Sequence, residues 1–385
     1  MASANTLTGL IDNAYTAWNI VSRELTGFAR AASMDASAEK AALGQTIRTP
    51  IAPTATTTSI TSASFAPDSG GQTMTYVDAT ISKSKMVPIQ WTGEEQRSIV
   101  PVYGNIQTQR FAQAFRALAN EVEADLFTEA YKNSSRAYGT AGTTPFVGGL
   151  TDMAQIKRIL DDNGAPMSDR VIVLNTAAGA NMRTLANLGV ASYAGTDQTL
   201  RNGILLPVHG FEVFESGQIS QHTAGAGTGY DINNGAGEIV GQTTLTLDGG
   251  TVNVTGIKAG DVVTFATDAN NKYVVTTGLT ATTGDIVIGN PGIRVLVADT
   301  TEMTIGASYT PNIAFSRSAL KLIARAPLTP NEGDGADDRF YMTDPITGLA
   351  FEITLWKTYR QVHMEVALAW GVKACQSEHI ATLLG

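Results

Sequence analysis

A helical repeat of apolar side chains runs through Asn105 to Lys132. The spacing of its large apolar residues is four, three, four and four, at Phe111, Phe115, Leu118, Val122 and Leu126. This is the period of an α-helix and not the two-residue period of a strand. No Gly or Pro interrupts the repeat, and Gly104 with Asn105 stands before it as a break and N-cap. We therefore expect one amphipathic helix of about 40 Å, whose charged faces are wet or meet a neighbour.

A second helical repeat lies near the N-terminus, between Leu7 and Phe28. Its apolar positions step by threes, fours and a seven, with Asn5 or Thr6 as the predicted cap. Because chain ends are poorly ordered unless they are docked, the apolar stripe predicts docking. The docking surface is either the protein's own body or a partner, and the pattern favours neither.

Between Thr46 and Tyr103 the chain becomes rich in Thr and Ser. Two runs, Thr56–Ser64 and Thr73–Trp91, predict the strands of a long hairpin joined by the turn sequence PDSGG. Apolar and polar residues alternate only weakly, so neither face has an obvious core to cover. Since two strands alone are marginal in water, we expect another subunit to hold this hairpin.

A mixed α/β unit follows the long helix. The pattern predicts a helix over Thr151–Asp162, capped by Thr151 and ending near Gly164. It then predicts a buried strand over Arg170–Asn175, a helix over Thr176–Leu188 and a strand over Gly210–Glu215. Strand, helix and strand in one compact stretch indicate a small α/β unit.

Between His222 and Ile305 the pattern changes to short strands separated by turns. The predicted strands are Glu238–Leu247, Thr251–Val254, Asp261–Ala266, Lys272–Thr277, Asp285–Ile288 and Arg294–Ala298. This spacing is typical of a small all-β barrel or sandwich. It is an insertion, because the earlier character resumes at Asn312 with a predicted strand and short helix in NIAFSRSALKLIARAP. Two long strands, Leu349–Tyr359 and Gln361–Ala374, close the chain through a tight connection.

Composition adds a low charge density. Of 385 residues, 43% are hydrophobic and only 16% are charged, against about a quarter in an average protein. We therefore expect much of the surface to be hidden against other subunits. The net charge of -9, without a run of Lys or Arg, argues against a general nucleic-acid binder. The single cysteine, Cys375, excludes an intrachain disulfide, and the absence of a signal peptide or apolar span predicts folding in the cytoplasm.

The candidate chemical motifs are weak. The four histidines are far apart in sequence, and we interpret each as structural. The glycine-rich run GAGTGYDINNGAG lacks the third glycine of a dinucleotide loop, because Tyr230 holds that position, and predicts a flexible hinge into the insertion. Asp334, Asp337 and Asp338 predict a solvated acidic loop, since EF-hand spacing is absent. The sequence thus predicts no cofactor, no metal and no catalytic site.

The order of these parts resembles the tailed-phage major capsid proteins of the HK97-type fold, within them the P22-like coat proteins that carry an inserted domain. The residues that carry the resemblance are Ile257–Ile293, the run PNIAFSRSALKLIARAP and the final GLAFEITLWKTYRQVHMEVALAWGVKACQSEHIATLLG. The implied fold is α+β with an N-terminal arm, an extended loop, a peripheral domain with a spine helix, an axial α/β domain and an inserted β-barrel. The implied boundaries are 1–45 for the arm, 46–103 for the extended loop, 104–137 for the spine helix, 138–221 for the axial domain, 222–306 for the insertion and 307–385 for the remainder.

The resemblance implies a structural protein that self-assembles as hexamers and pentamers into the icosahedral head of a tailed double-stranded DNA phage, made in the host cytoplasm and located in the virion. Implied partners are further copies, a scaffolding protein, a portal protein, a decoration protein, and packaged DNA held without sequence specificity, with no membrane. The residues expected at subunit interfaces are Trp18, Phe65, Asp68, Lys83, Lys85, Arg110, Arg116 and Glu123. Three alternatives remain open: an encapsulin shell that houses cargo enzymes, a surface-layer or adhesin protein, and an enzyme with an unrecognised site.

Overall fold

The computed structural model describes residues 25–35, 39–51, 57, 59–60, 74–98, 103–190, 198–331, 333–344 and 347–385. The chain contains both helices and strands, as the predicted α+β class requires. The helices are Phe28–Ala31, Gly93–Ser98, Tyr103–Lys132, Thr151–Asp162, Thr176–Thr184, Ala186–Gly189 and Gln198–Asn202, with 3-10 turns at Arg317–Ala319 and Ser377–His379. No helix within these ranges is both long enough and apolar enough to span a bilayer.

The long helix is confirmed, and it begins two residues before the predicted start. It runs from Tyr103 to Lys132, so that Asn105 lies in its first turn and is not its N-cap. All five apolar residues of the predicted stripe are buried, at 2% exposure or less. They pack into the largest hydrophobic core of the molecule, where the rings of Phe115 and Phe351 lie 5.2 Å apart.

The stripe faces a six-stranded sheet, which we call the platform sheet. Its strands are Ser33–Asp35, Lys83–Thr92, Leu320–Arg325, Asp338–Thr343, Ala350–Thr358 and Gln361–Ala374. Gln361–Ala374 is the central strand, since it pairs antiparallel with three of the others. The predicted closing pair of strands is confirmed, and Arg360 makes its tight connection with a φ of 58°.

Two predictions about this sheet were wrong. Lys83–Thr92 is not the second half of the protruding hairpin but a ten-residue strand of the platform sheet, because Ile89 and Trp91 bury their side chains in the core. Leu320–Arg325 is a strand and not a helix. It is buried on both faces except at Lys321, and it pairs with Ser33–Asp35 on one side and with the central strand on the other.

The hairpin itself is formed by Thr46–Ile51 and Thr75–Thr80, which pair antiparallel as a separate two-stranded sheet. We call this pair the ribbon. The predicted strand Thr56–Ser64 lies mostly outside the described residues, and residues 57, 59 and 60 are not in a strand. Thr73–Trp91 is not one strand, because the chain leaves the ribbon at Ile81 and enters the platform sheet at Lys83.

The α/β unit surrounds the strand Arg170–Leu174, all of whose residues are buried. That strand pairs parallel with Phe211–Glu215 and antiparallel with Pro311–Ser316, and the sheet continues through Ile380–Leu384 to Arg136–Tyr138. Thr151 does not cap the helix Thr151–Asp162, since Leu150 stands at its N-cap without a side-chain bond. The predicted helix Thr176–Leu188 is split at Leu185.

The insertion is a closed antiparallel barrel. Its six strands are Tyr230–Ile232, Thr244–Asp248, Val262–Phe265, Asp268–Thr277, Gly284–Ile288 and Glu302–Ile305. Pairing of Val262–Phe265 with both Glu302–Ile305 and Asp268–Thr277 completes the ring. The predicted strands Thr251–Val254 and Arg294–Ala298 each form only a single β-bridge. The first and last barrel strands, Tyr230–Ile232 and Glu302–Ile305, were not predicted.

The glycine-rich run from Gly225 is part of the barrel wall, so its interpretation as a flexible hinge was wrong. The Gly225 and Gly227 backbones lie against Gly256, where a Cβ on Gly225 would meet the Gly256 carbonyl oxygen at 2.2 Å. Tyr230, which broke the dinucleotide motif, is fully buried, and its hydroxyl donates to the Ala281 carbonyl at 2.9 Å. Glycine serves close backbone packing here and not mobility.

Candidate functional site

The ribbon lacks a hydrophobic core of its own. Its side chains are exposed or half-buried except near its end, and Met74 and Tyr76 are about half exposed. Its base is anchored by a small cluster in which Ala79 and Ile81 pack against the platform sheet. An isolated two-stranded sheet with both edges open is marginal in water and offers unpaired backbone groups to another chain.

The base of the ribbon crosses the central strand at Gly371. A Cβ at Gly371 would lie 2.1 Å from the Thr80 carbonyl oxygen, so only glycine permits this approach. The Ser82 N–H donates to the Trp370 carbonyl at 3.0 Å, and the Lys321 ammonium donates to Thr49 Oγ1 at 2.8 Å. These contacts fix where the ribbon leaves the body.

Lys83 and Lys85, two of the predicted interface residues, join the platform sheet to the long helix of the same chain. Lys83 Nζ lies 2.8 Å from Glu121 Oε1 and 2.9 Å from Asp125 Oδ1, and Lys85 Nζ lies 2.5 Å from Glu121 Oε1. Burial opposes the charge on Lys83, but the hydrogen bonds to both carboxylates outweigh it and raise its pKa.

Glu123 does not lie at a surface, and its placement at a subunit interface was wrong. Its side chain is fully buried, and its carboxylate accepts from the backbone N–H groups of Gly27, Phe28 and Ala29 at 2.5–2.8 Å. Burial raises the pKa of Glu123, and these donors oppose that shift. The described end of the N-terminal arm is therefore docked on its own body, where Phe28 stacks 6.2 Å from Phe315.

The remaining predicted interface residues differ in exposure, and some lie outside the described residues. Arg110 is exposed near the start of the long helix, and Arg116 is half-buried. Trp18, Phe65 and Asp68 lie outside the described residues. Their roles stay predictions.

The insertion is joined firmly to the body. Its strand Asp268–Thr277 pairs with Arg136–Tyr138, so the barrel wall continues the sheet of the α/β unit. Beside this seam His222 Nε2 lies 2.8 Å from Asp261 Oδ1, between the rings of Tyr131 and Tyr309. Both His222 and Asp261 are buried, which agrees with a structural histidine.

The barrel also carries an exposed apolar turn. Ile239, Val240 and Leu296 are each more than half exposed. They lie together, because the Glu238 N–H donates to the Val297 carbonyl at 2.8 Å and holds the two segments side by side. A contiguous apolar patch on a soluble protein marks an interaction surface more often than single exposed residues do.

Three carboxyl groups gather on the outer face of the platform sheet, where sequence analysis placed no site. Glu352, Glu365 and Asp334 line a cavity of about 210 Å³, together with Arg339. Arg339 forms ion pairs with Glu352, Nε to Oε1 at 2.9 Å, and with Asp334. Burial and the nearby Glu352 carboxylate raise the pKa of Glu365 to about 7, against the opposing effect of Arg339.

A sequence signal for this outer pocket existed. In AFEITLWKT the period of two places Glu352 and Thr354 on the face opposite Phe351 and Ile353. In the neighbouring strand Glu365 stands directly across from Thr354, so the two glutamates are diagonal neighbours. Sequence alone could not supply the register that brings them together.

The described residues hold no group of three His, Cys, Asp or Glu side chains arranged to bind a metal. Within the predicted acidic loop Asp334 is paired with Arg339 and is not simply solvated. Burial raises the pKa of the Cys375 thiol, which keeps it protonated and unreactive at neutral pH.

No protein-family model and no curated protein matches this chain. Solved structures that it resembles include that of Mycobacterium phage Che8, at 11% identity and a TM-score of 0.48 over 94% of this chain and 91% of that one. The capsid structure of cyanophage P-SCSP1u is similar at 13% identity and a TM-score of 0.48, over 94% of this chain and 88% of that one. A virus-like particle from Pyrococcus furiosus is similar at 10% identity and a TM-score of 0.41, over 98% of this chain and 96% of that one.

Proposed function

We propose that this chain is the major capsid protein of a tailed double-stranded DNA phage, with the HK97-type fold and a P22-like insertion. Hexamers and pentamers of the chain would form the icosahedral head that encloses the genome. The observation that carries the proposal is the ribbon, an anchored two-stranded sheet that, among the described residues, has open edges and no core of its own. Such an element is stabilised when a neighbouring copy covers it.

The exposed apolar groups support a subunit that meets neighbours on several sides. They lie at separate places: Tyr76 on the ribbon, Ile239 and Val240 on the barrel, and Tyr359 at the tip of the closing strands. A closed shell requires different patches of one chain to meet, because a ring is built from head-to-tail contacts. Many modest contacts also let misplaced subunits dissociate, since no single contact is strong.

The body is suited to a structural role. The long helix is fixed to the platform sheet by the Lys83 and Lys85 ion pairs, and the barrel is fixed to the α/β unit by continuous strand pairing. We assign the spine to the long helix, the axial domain to residues 138–221 and the extended loop to the part of residues 46–103 that precedes the platform strand Lys83–Thr92. In this role the protein works by assembly and not by catalysis.

The proposed partners follow from that role. They are further copies of the chain, a scaffolding protein during assembly, a portal protein at one vertex and a decoration protein on the outside. The net charge of -9 suits a shell that encloses DNA without gripping it. The proposed location is the virion, after assembly in the host cytoplasm.

Electron microscopy of the purified full chain, alone and with its scaffolding protein, tests the proposal. We expect closed particles of uniform diameter. A chain that stays monomeric under all conditions, with its scaffolding protein present, would contradict the proposal. Particles from the native source that contain protein cargo and no DNA would instead support an encapsulin-type shell.

A further inference from the structure

The outer pocket has an excess of negative charge. Asp334, Glu352 and Glu365 face it with Arg339 as the cation in reach of them. Lys85 also lines the cavity, but its ammonium group is bound to Glu121 of the long helix. Three carboxyl groups therefore share one guanidinium.

One of these carboxylates has an unused oxygen. Glu352 is only 3% exposed, and its Oε1 pairs with Arg339. Its Oε2 is buried and, like Arg339 Nε, has no hydrogen-bond partner among the residues that the structure describes. A buried carboxylate oxygen without a partner is destabilising, so the site is incomplete in the isolated chain.

We infer that the outer pocket receives a lysine or arginine side chain from a second copy of this chain. The inference rests on the proposed assembly and adds a specific contact to it. Charge complementarity selects the occupant, because a cationic side chain in the cavity lies beside the Glu365 carboxylate and adds positive charge where three carboxyl groups share Arg339. We favour a cationic side chain over a bound metal ion as the occupant, because the described carboxylates do not form a metal-binding group.

The groups around Glu365 predict how the contact depends on pH. Glu352 lies on the neighbouring strand, Arg339 on the next, Asp334 on the covering loop, Lys85 on the strand across, and His363 two residues before Glu365. The pKa of Glu365 is about 7 in the isolated chain. An incoming cation favours the ionised carboxyl, so docking releases a proton and strengthens as the pH rises through that value.

The test compares the full chain with the double variant Glu352→Gln/Glu365→Gln, which keeps the shape of both side chains and removes their charge. The matched control is Glu302→Gln, an exposed acid on a barrel strand far from the pocket. Self-association is measured by analytical ultracentrifugation over a concentration series, at pH 6 and pH 8 and at low and high salt. Thermal unfolding of each protein verifies that it is folded.

We expect the double variant to need at least about tenfold more protein for half-assembly. It should also lose the strengthening between pH 6 and pH 8 and part of the salt dependence, while the control behaves as the parent. A folded double variant with the parent's concentration, pH and salt dependence would overturn the inference. A second outcome would also overturn it. In that outcome the double variant does not fold, and the single variant Glu365→Gln folds and assembles as the parent does.

The two proposals fail in different ways. Closed particles from parent and double variant at equal concentration refute the pocket contact and leave the capsid role intact. Open oligomers of the parent that the double variant weakens support the pocket contact and count against a closed shell. A parent that never self-associates refutes both.

Discussion

The barrel and the ribbon are both β-structures made from Thr-rich sequence, yet they differ in how their sheet edges are paired and in how much core they bury. The barrel closes its six strands into a ring and buries a core that includes Tyr230, Phe265 and Tyr273. The ribbon pairs only two strands, leaves both edges open and buries little beyond its base. Closure removes the unpaired edges of a sheet, whereas an open ribbon needs another surface to cover it. The comparison separates an element that is stable within one chain from an element completed by assembly.

Shortening the ribbon is expected to have the largest effect. Replacing residues 47–79 by a two-residue Asn-Gly turn removes the ribbon between its paired ends Thr46 and Thr80, and leaves Lys83–Thr92 in the platform sheet, where it pairs with the central strand. We expect a folded monomer, with a Tm within about 2 °C of the parent because Ala79 is the one buried apolar side chain among the described residues that are removed, and no closed particles. Circular dichroism and electron microscopy measure the two properties. Normal particles from the shortened protein would show that the ribbon does not depend on a neighbour.

A matched pair of truncations should separate the two regions by several kcal/mol. Phe265→Ala removes a barrel side chain that is 1% exposed and should cost about 3–5 kcal/mol of unfolding free energy. Tyr76→Ala removes a ribbon side chain that is 53% exposed and should cost less than about 0.5 kcal/mol.

Urea denaturation of the unassembled full chain gives both values, each relative to the parent. Particle yield should fall for Tyr76→Ala although its stability does not. Equal stability losses in the two variants would remove the distinction between barrel and ribbon.

The smallest effect is expected within the ribbon itself. Arg48 Nε lies 3.2 Å from Asp78 Oδ1 across the two strands, with side-chain exposures of 70% and 46%. An ion pair this exposed should couple by less than about 0.5 kcal/mol. A double-mutant cycle with Arg48→Ala and Asp78→Ala measures the coupling. A value above about 1 kcal/mol would mean that the ribbon is stabilised within the single chain.

The predicted fold class, α+β with a long helix, an α/β unit and an inserted all-β barrel, is confirmed. Predictions succeeded where local periodicity and burial agree, as at Phe111–Leu126 in the long helix. They failed where a segment is buried on both faces, as in Leu320–Arg325, because apolar residues then stand at consecutive positions and give no clear period that distinguishes helix from strand. The error at Lys83–Thr92 had a different origin. Its alternation was too weak to show that Ile89 and Trp91 reach the core.

The candidate site was harder to predict than the fold. Glu123 was assigned to a surface because a charge on a helix is usually solvated, but three backbone N–H groups bring it inside. Glu352 and Glu365 were not singled out, because thirteen positions of sequence separate them and only strand register makes them neighbours. Side-chain chemistry that depends on pairing between distant strands is invisible to a local pattern.

The sequence by itself determined the long helix, the α/β unit, the inserted barrel and the low charge, since each depends on the order of apolar and polar residues along a short stretch. Only the tertiary structure decided that the arm is pinned by Glu123, that the ribbon begins at Thr46 and leaves the body over Gly371, and that three carboxyl groups share Arg339. The physical reason is that these features depend on which distant segments meet, and that choice is made by the packing of the whole core.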